Sequence, residues 1–444
     1  MINIEEWNAR IDAFIAEENE KRGRTLPVCR IYCQDDTDRS GGGLYNETVT
    51  VDIIGRFARA LGDSNPLYSD PRYQAGRQGI STGALPFQAP PLLECCICST
   101  FIGGRLPRLR GVSVFDAGTR WERFLPICPG DSFTAQTENL GVREITKAGS
   151  QGRLLIREHR IDLRNQRGEL VSSLTARSAI KCASPIEKAE ETGEEVSLHT
   201  AESEKAPLAQ KAGICQADRP QIRQTNRPSY TEQELARVYE NLDAQLAGAF
   251  RRGAEPRFWE EVEIGGQLPE EIVGPYDESD GQALMAAIGV SNAFATKWAS
   301  IRFRKGQGVT DPETGAHRHP IDRHNSDRIA QAQGLPRAIV SGIHSQALLA
   351  KSVSDWMGDD GILRVLDCQC RKPLYYGDLS IQHGRVSDKY EKDGNYYVTL
   401  QMEAVRQDGT PHTSARAVVQ LPARSPKTHS SASGMVGKNE KNAR

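Results

Sequence analysis

No stretch of this chain is long and apolar enough to read as a membrane span. The most hydrophobic region, 84–101, is interrupted by Gln88, Pro90, Pro91 and Glu94, whereas a span needs about 20 almost unbroken apolar residues. An excess of one charge is also missing: 56 Lys and Arg stand against 58 Asp and Glu, for a formal net charge of -2. With no basic stripe, that balance excludes a general attraction to nucleic acid or to an anionic membrane surface. The start, Met-Ile-Asn-Ile-Glu-Glu-Trp, lacks the positive segment and apolar core of a secretory leader, so a cytoplasmic protein is expected. Cys95-Cys96-Ile97-Cys98 contains one C-x-x-C, but no second pair stands at zinc-ligand spacing. No metal or other cofactor is expected. The ten cysteines read as small buried apolar residues, with Cys368 and Cys370 alternating on a predicted strand and so facing one side.

What is present is an ordinary globular composition, 38% apolar and 26% charged over 444 residues, enough for two or three domains. Residues 1–44 hold an amphipathic helix over 4–22, with Trp7, Ile11, Phe14 and Ile15 on one face and Asn3 as its cap, followed by a glycine-rich lead-in. Residues 45–182 form a first folded unit. Helical spacing from Val49 to Leu61 runs into Gly62-Asp63-Ser64-Asn65-Pro66-Leu67-Tyr68. Ala89-Pro90-Pro91 then opens a helix that is apolar nearly all round (Leu92, Leu93, Cys95, Cys96, Ile97, Phe101, Ile102) and therefore enclosed. Strand-like runs follow at 118–124, 132–140, 154–163 and 170–181. Residues 183–228, rich in Glu, Lys, Ala, Gln and Pro, read as a flexible linker. Residues 229–255 hold a connecting helix capped by Thr231, with Leu235, Val238, Tyr239, Leu242 and Leu246 on one face. A second folded unit spans 256–423, and 424–444 is a polar tail expected to be disordered.

The two units read as diverged copies. Arg123-Phe-Leu-Pro126-Ile-Cys-Pro-Gly130-Asp131 is echoed by Arg371-Lys-Pro373-Leu-Tyr-Tyr-Gly377-Asp378, each at the entry to a strand. Arg164 to Gly168 with Thr175-Ala-Arg177 is echoed by Arg406 to Gly409 with Ser414-Ala-Arg416. Each copy is thus expected to be a long buried helix followed by several antiparallel strands.

Chemistry concentrates in His319-Pro-Ile-Asp322-Arg-His324, followed by Ala330, Gly334, Ser341 and Gly342. Gly342 opens an apolar helical run with Ser341 placed to cap it. Unpaired N–H groups at a helix start sit at the positive end of its dipole and can hold a developing oxyanion. A nearby histidine can move a proton near neutral pH. The bland alternative is a surface loop in which Gly342 only eases a tight entry into the helix.

From His324 onward this stretch resembles the MaoC-like dehydratase and R-specific enoyl-CoA hydratase family, whose motif is Asp-x-Asn-Pro-x-His followed by an Ala and two Gly. Ala330, Gly334 and Gly342 keep the second spacing, and His324 falls on the family's catalytic His. His319 stands in the place of the family's Asp, with Asp322 the nearest carboxylate. Asp63, Asn65 and Pro66 echo the same motif in the first unit, with Tyr68 in place of the His. The resemblance is to two-domain members and implies an α+β double hotdog, with two antiparallel sheets each wrapping a long central helix. It implies reversible hydration of an enoyl-CoA, or a carrier-bound enoyl thioester, to a 3-hydroxyacyl thioester, by a homodimer. In that reading His324 is the acid-base group, Asp322 or His319 its orienting partner and Gly342 the oxyanion donor. Asp63, Asn65, Tyr68 and Ser341 would contact substrate, with a degenerate first half lining the tunnel. The alternatives are a non-catalytic thioester-binding partner and a hotdog thioesterase.

Overall fold

The computed structural model describes residues 3–27, 44–76, 78–79, 83–84, 87–100, 106–107, 109, 111–150, 152–184, 227–289, 299–300, 303–304 and 308–424. The expected linker and tail therefore lie almost wholly outside the described residues. The main helices are α1 (Ile4–Glu20), α2 (Val51–Ala60), α3 (Glu94–Ile97), α4 (Glu232–Leu246), α5 (Glu278–Ile288) and α6 (Gly342–Met357). The main strands are β1 (Thr25–Pro27), β2 (Val112–Arg123), β3 (Phe133–Glu144), β4 (Arg153–Asn165) and β5 (Leu170–Cys182) in the first half. In the second half they are β6 (Glu271–Val273), β7 (Ile362–Cys370), β8 (Ser380–Lys392), β9 (Asn395–Val405) and β10 (Pro411–Leu421).

All ten strands belong to one antiparallel sheet in the order β1-β3-β4-β5-β2-β7-β10-β9-β8-β6. The order is the same read outward from the middle in either direction, as a duplicated unit requires. The echoed segments do the same local work in each copy. Asp131 accepts a hydrogen bond from the Cys128 N–H at 2.8 Å, and Asp378 one from the Tyr375 N–H at 3.1 Å. Gly168 and Gly409, at φ +77° and +75°, turn the matching hairpins.

The expectation of two separate sheets is corrected to this single sheet, because β2 and β7 pair at Val365↔Glu122, Leu366↔Trp121 and Asp367↔Arg120. Only the second half shows the expected long central helix among the described residues. Every residue of α6 from Ile343 to Met357 is buried, and the helix lies against β2, β7, β9 and β10. In the first half the corresponding helical stretch is α3, four residues, and 101–105 lie outside the described residues.

α1 is capped as expected, the Glu6 N–H donating to Asn3 Oδ1 at 2.8 Å, and packs Trp7, Ile11 and Phe14 into a small cluster with Val142, Leu155 and Ile180. α4 starts with a capping box between Thr231 and Glu234. Its expected apolar face is partly covered: Val238 is buried and Leu242 packs with it against Ile272 and Leu379, while Tyr239 is 56% and Leu246 68% exposed. The helix shields the edge strand β6 through this cluster and through polar groups, Asn241 accepting from the Ile272 N–H and Gln245 donating to the Ile272 carbonyl. Of the seven cysteines among the described residues, Cys95, Cys96, Cys98, Cys182 and Cys368 are buried, Cys128 and Cys370 are partly so, and these seven are free thiols.

β2 begins earlier than its sequence pattern suggests. Gly118, which reads as a strand start, sits inside the strand at a β-bulge between Asp116 and Gly118, with φ +101°. A Cβ there would lie 2.2 Å from the Cys368 carbonyl oxygen. Gly118→Ala is therefore expected to cost more than Gly130→Ala, where φ is +91° and nothing lies within 4 Å. Strain alone costs about 1–3 kcal/mol, and the backbone overlap at 118 adds about 1–3 kcal/mol. Urea melts of the two variants check this, and equal losses would show that β2 and β7 yield without cost.

Candidate active site

The segment Pro320–His324 is a short 3-10 turn whose cap is His319, with Nδ1 accepting from the Ile321 N–H at 3.0 Å. Chain direction then reverses through the helical turn Asp327–Gln331, and two hydrogen bonds bring the end of the loop back onto His324 and its neighbour. The Ile339 N–H donates to the Arg323 carbonyl at 3.1 Å, and His324 Nδ1 lies 2.9 Å from the Ile339 carbonyl oxygen. A carbonyl only accepts, so Nδ1 carries the proton and Nε2 is the basic nitrogen. Burial, with Arg323 as the second cause, lowers the His324 pKa to about 4, so the ring is neutral at pH 7. The side chain is half-buried. Ile339 lies three residues before the start of α6, so the segment 339–341 connects the group bonded to His324 with that helix.

Neither expected partner makes the orienting bond. Asp322 ion-pairs with Arg318 at 2.8 Å, and burial raises its pKa. His319 uses Nδ1 as a backbone cap. The group that orients His324 is the Ile339 carbonyl, supplied by the backbone where a sequence motif has no letter for it.

At the start of α6, Ser341 makes no side-chain capping bond, so it leaves the first-turn N–H groups of Gly342 and Ile343 uncapped. A side chain at Gly342 would meet a residue that spacing did not single out: a Cβ there would lie 2.6 Å from Asp116 Oδ2. Asp116 comes from β2 of the first half. It accepts from the Gly118 N–H at 2.8 Å and from Gln346 Nε2 at 3.0 Å, and burial pushes its pKa up to about 6 against both bonds. The same strand touches the His324 loop, since Arg323 donates to the Val114 carbonyl at 3.1 Å and stacks 5.4 Å from the Phe115 ring centre. The sequence signal for Asp116 was weak: a carboxylate two residues before a glycine, upstream of the expected strand.

The first-half motif lies elsewhere. Asp63 accepts from the Asn65 N–H at 2.9 Å, and Asn65 accepts from the Leu67 N–H at 3.0 Å and from Arg251 at 3.1 Å. Tyr68 is buried, its hydroxyl 2.7 Å from Ser354 Oγ, so it packs into the core rather than facing an open tunnel. Burial pushes its pKa above the usual phenol range. From Gly342 to Ser354, α6 rises ~18 Å at 1.5 Å per residue. The structure thus separates Asp63, Asn65 and Tyr68 from His324, Asp322, His319, Ser341 and Gly342.

Beside Asp63, Lys351 donates to Glu271 at 3.0 Å and to Asp355 at 2.8 Å. Burial opposes the charge on Lys351, but Glu271 and Asp355 outweigh it and hold its pKa above the usual range. Burial and Asp355 raise Asp63 to about 7. An acid whose folded pKa lies above its unfolded value contributes stability at low pH and loses it as pH rises through the folded pKa. Asp63→Asn keeps the oxygen that accepts from Asn65, so it is expected to stabilise the protein at pH 8, by about 1–3 kcal/mol, and to matter little near pH 4. Denaturant melts at both pH values check this. A loss at pH 8 would show that the cluster uses the ionised form.

Among the described residues, no group of three or more His, Cys, Asp or Glu is placed to hold a metal ion, and no helix is long and apolar enough to cross a membrane. Residues 42–174 match the family model of the FAS1-like dehydratase domain region. A solved MaoC-like dehydratase superposes with a TM-score of 0.51 at 16% identity, covering 91% of this chain and 99% of that one. A Mycobacterium tuberculosis protein described as a double hotdog gives a TM-score of 0.47 at 14% identity, covering 91% and 97%. A Chloroflexus aurantiacus MaoC domain protein also gives 0.47, at 12% identity and covering 91% and 96%. No curated protein matches the chain. Residues 42–174 thus resemble the FAS1-like dehydratase domain region, and the chain shares over most of its length the fold of a MaoC-like dehydratase.

Proposed function

We propose that the protein is an acyl-thioester hydratase/dehydratase that adds water reversibly across the α,β double bond of an enoyl thioester, with His324 as its acid-base group. One observation carries the reading: His324 is held in the tautomer that leaves Nε2 basic by the carbonyl of Ile339, three residues before a helix start that its cap residue does not close. In hydration, Nε2 takes a proton from water as oxygen attacks C3. Charge then builds on the thioester oxygen, which the N–H groups of Gly342 and Ile343 are suited to stabilise at the positive end of α6. The Ile339 carbonyl orients the ring and supports the imidazolium while it carries the extra proton. Asp322 and His319 shape the loop in this scheme: the first anchors Arg318 and the second caps the turn.

A second reading, a thioester-binding partner without turnover, draws on the same loop, because no carboxylate contacts the His324 ring. Hydration of a short enoyl-CoA ester separates the two, since a binding partner retains the ester and never converts it.

His324→Ala is expected to lower turnover about 100- to 10,000-fold, as loss of a general acid-base group does, with thermal stability little changed. Near wild-type turnover would refute the assignment. The depressed pKa also sets a pH range. Neutral His324 persists as pH falls from 7 and is lost only as pH falls through about 4, so kcat/KM for hydration should hold on the acid side to about pH 5. A fall centred near pH 6.5 would mean that the ring is not buried during catalysis.

A further inference from the structure

We infer that Asp116, delivered to the second half's site by β2 of the first half, is the second proton-transfer group of this reaction, acting on C2 of the thioester while His324 acts on water at C3. The inference rests on the hydratase reading above and names the group which that reading leaves open. Hydration needs two proton movements, one off water and one onto C2, and the second group has to lie at the start of α6, where the thioester carbonyl is held. The loop's own carboxylate, Asp322, faces Arg318 at 2.8 Å without an aligned hydrogen bond to either oxygen, whereas Asp116 is bonded to α6 itself through Gln346.

Three features aim Asp116 at this place. Its Oδ2 rests against the first residue of α6, so close that a Cβ at 342 would lie 2.6 Å from it and force the carboxylate to move. The bulge between Asp116 and Gly118 breaks the strand's register, and bulges re-aim side chains in this way. The strand residues just before it touch the neighbour of His324, through the Arg323 bond to the Val114 carbonyl and its stacking on Phe115. Asp116 is also held still. One oxygen accepts from the Gly118 N–H and the other from Gln346 Nε2, leaving lone-pair capacity on both.

The assignment of C2 to Asp116 and C3 to His324 follows from connectivity. The thioester oxygen is stabilised at the start of α6, and C2 is bonded to that carbonyl carbon. The proton group nearest the helix start therefore reaches C2, and the one farther out along the loop reaches C3. Burial raises the Asp116 pKa to about 6, so near neutral pH a fraction of the group carries the proton that C2 receives, and in that form it does not repel the developing oxyanion. In the hydration direction a water O–H bond breaks, its proton passes to His324 Nε2, and its oxygen bonds to C3. The π electrons of C2=C3 move into the enolate, and C2 then takes the proton from the Asp116 carboxyl. The imidazolium and carboxylate left behind exchange one proton to restore the starting state. The net change is addition of one water.

The test follows hydration of crotonyl-CoA together with exchange of the C2 proton of 3-hydroxybutyryl-CoA in D2O. In His324→Ala, hydration should be lost while C2 exchange stays within about tenfold of wild type, because the C2 group is intact. In Asp116→Asn both should fall more than about 100-fold, with binding of butyryl-CoA unchanged. In Asp116→Ala, added formate should restore part of the exchange, which a purely structural loss would not permit. Hydration or exchange that survives in Asp116→Asn overturns the inference, and so does exchange that vanishes in His324→Ala. Should the Asp116 variants melt early, the exchange measurement on His324→Ala decides alone. A wild-type chain that hydrates nothing would refute the hydratase reading itself, a result distinct from either.

Discussion

Gln346 joins the two halves of the molecule at the point where their chemistry meets. Its side chain is fully buried on α6, and each of its polar atoms has a partner on β2. Oε1 accepts from the Thr119 N–H and from Trp121 Nε1, both at 3.1 Å, and Nε2 donates to Asp116 at 3.0 Å. A buried amide left unpaired costs far more than one hydrogen bond returns, so α6 has little freedom to slide or turn against β2. Around this anchor the sheet is continuous. Arg177 of the first half donates to the Cys368 carbonyl at 3.1 Å and to Asp367 at 2.8 Å, and Arg364 of the second half donates to the Phe124 carbonyl at 2.9 Å.

With its position fixed, α6 presents different environments at its two ends. The first turn has an uncapped start, a half-buried histidine nearby and a carboxylate from the other half. The far end is a closed polar core in which Lys351 serves Glu271 and Asp355, while Tyr68 bonds Ser354. Charges buried this way are held by their mutual geometry, and such clusters contribute less to stability than to fixing one arrangement. The proposed proton chemistry is placed at the end where groups are held singly and reach solvent, as His324 does. The same motif position in the first half, Asp63 to Tyr68, has become part of the packing that holds α6 from behind.

Much of this was legible in the residue pattern. The helix caps at Asn3 and Thr231, the strands of both halves and the echo of Asp131 in Asp378 all follow from local rules that tertiary contacts do not override. The short loop that joins His324 to the start of α6 was legible from spacing, since Gly342 does open a helix. The orienting group was not. It is a main-chain carbonyl, Ile339, which any residue type would supply. Asp116 was not legible either, since its placement depends on a bulge at Gly118 and on the edge-to-edge joining of β2 and β7, both of which arise from contacts distant in sequence. The face of α4 was legible only in part for a related reason. Periodicity shows which residues share a side but not how far it is covered, and here Val238 and Leu242 pack on the sheet edge while Tyr239 and Leu246 stay exposed.

Duplication explains why the two halves could diverge so far. A single unit of this kind has an exposed edge strand at β2 or β7, and pairing those edges removes the liability in both copies at once. Once the edges are joined, a side chain on β2 lies against the helix of the other copy, and a carboxylate there can replace one lost from the loop without any change in the loop's backbone. His319 caps its own turn and Asp322 pairs with Arg318, and in the proposed scheme the acid function lies on a different strand. On that proposal the join across β2 and β7 accounts for both departures from the motif, a histidine where an acid is expected and an unmarked aspartate where none is.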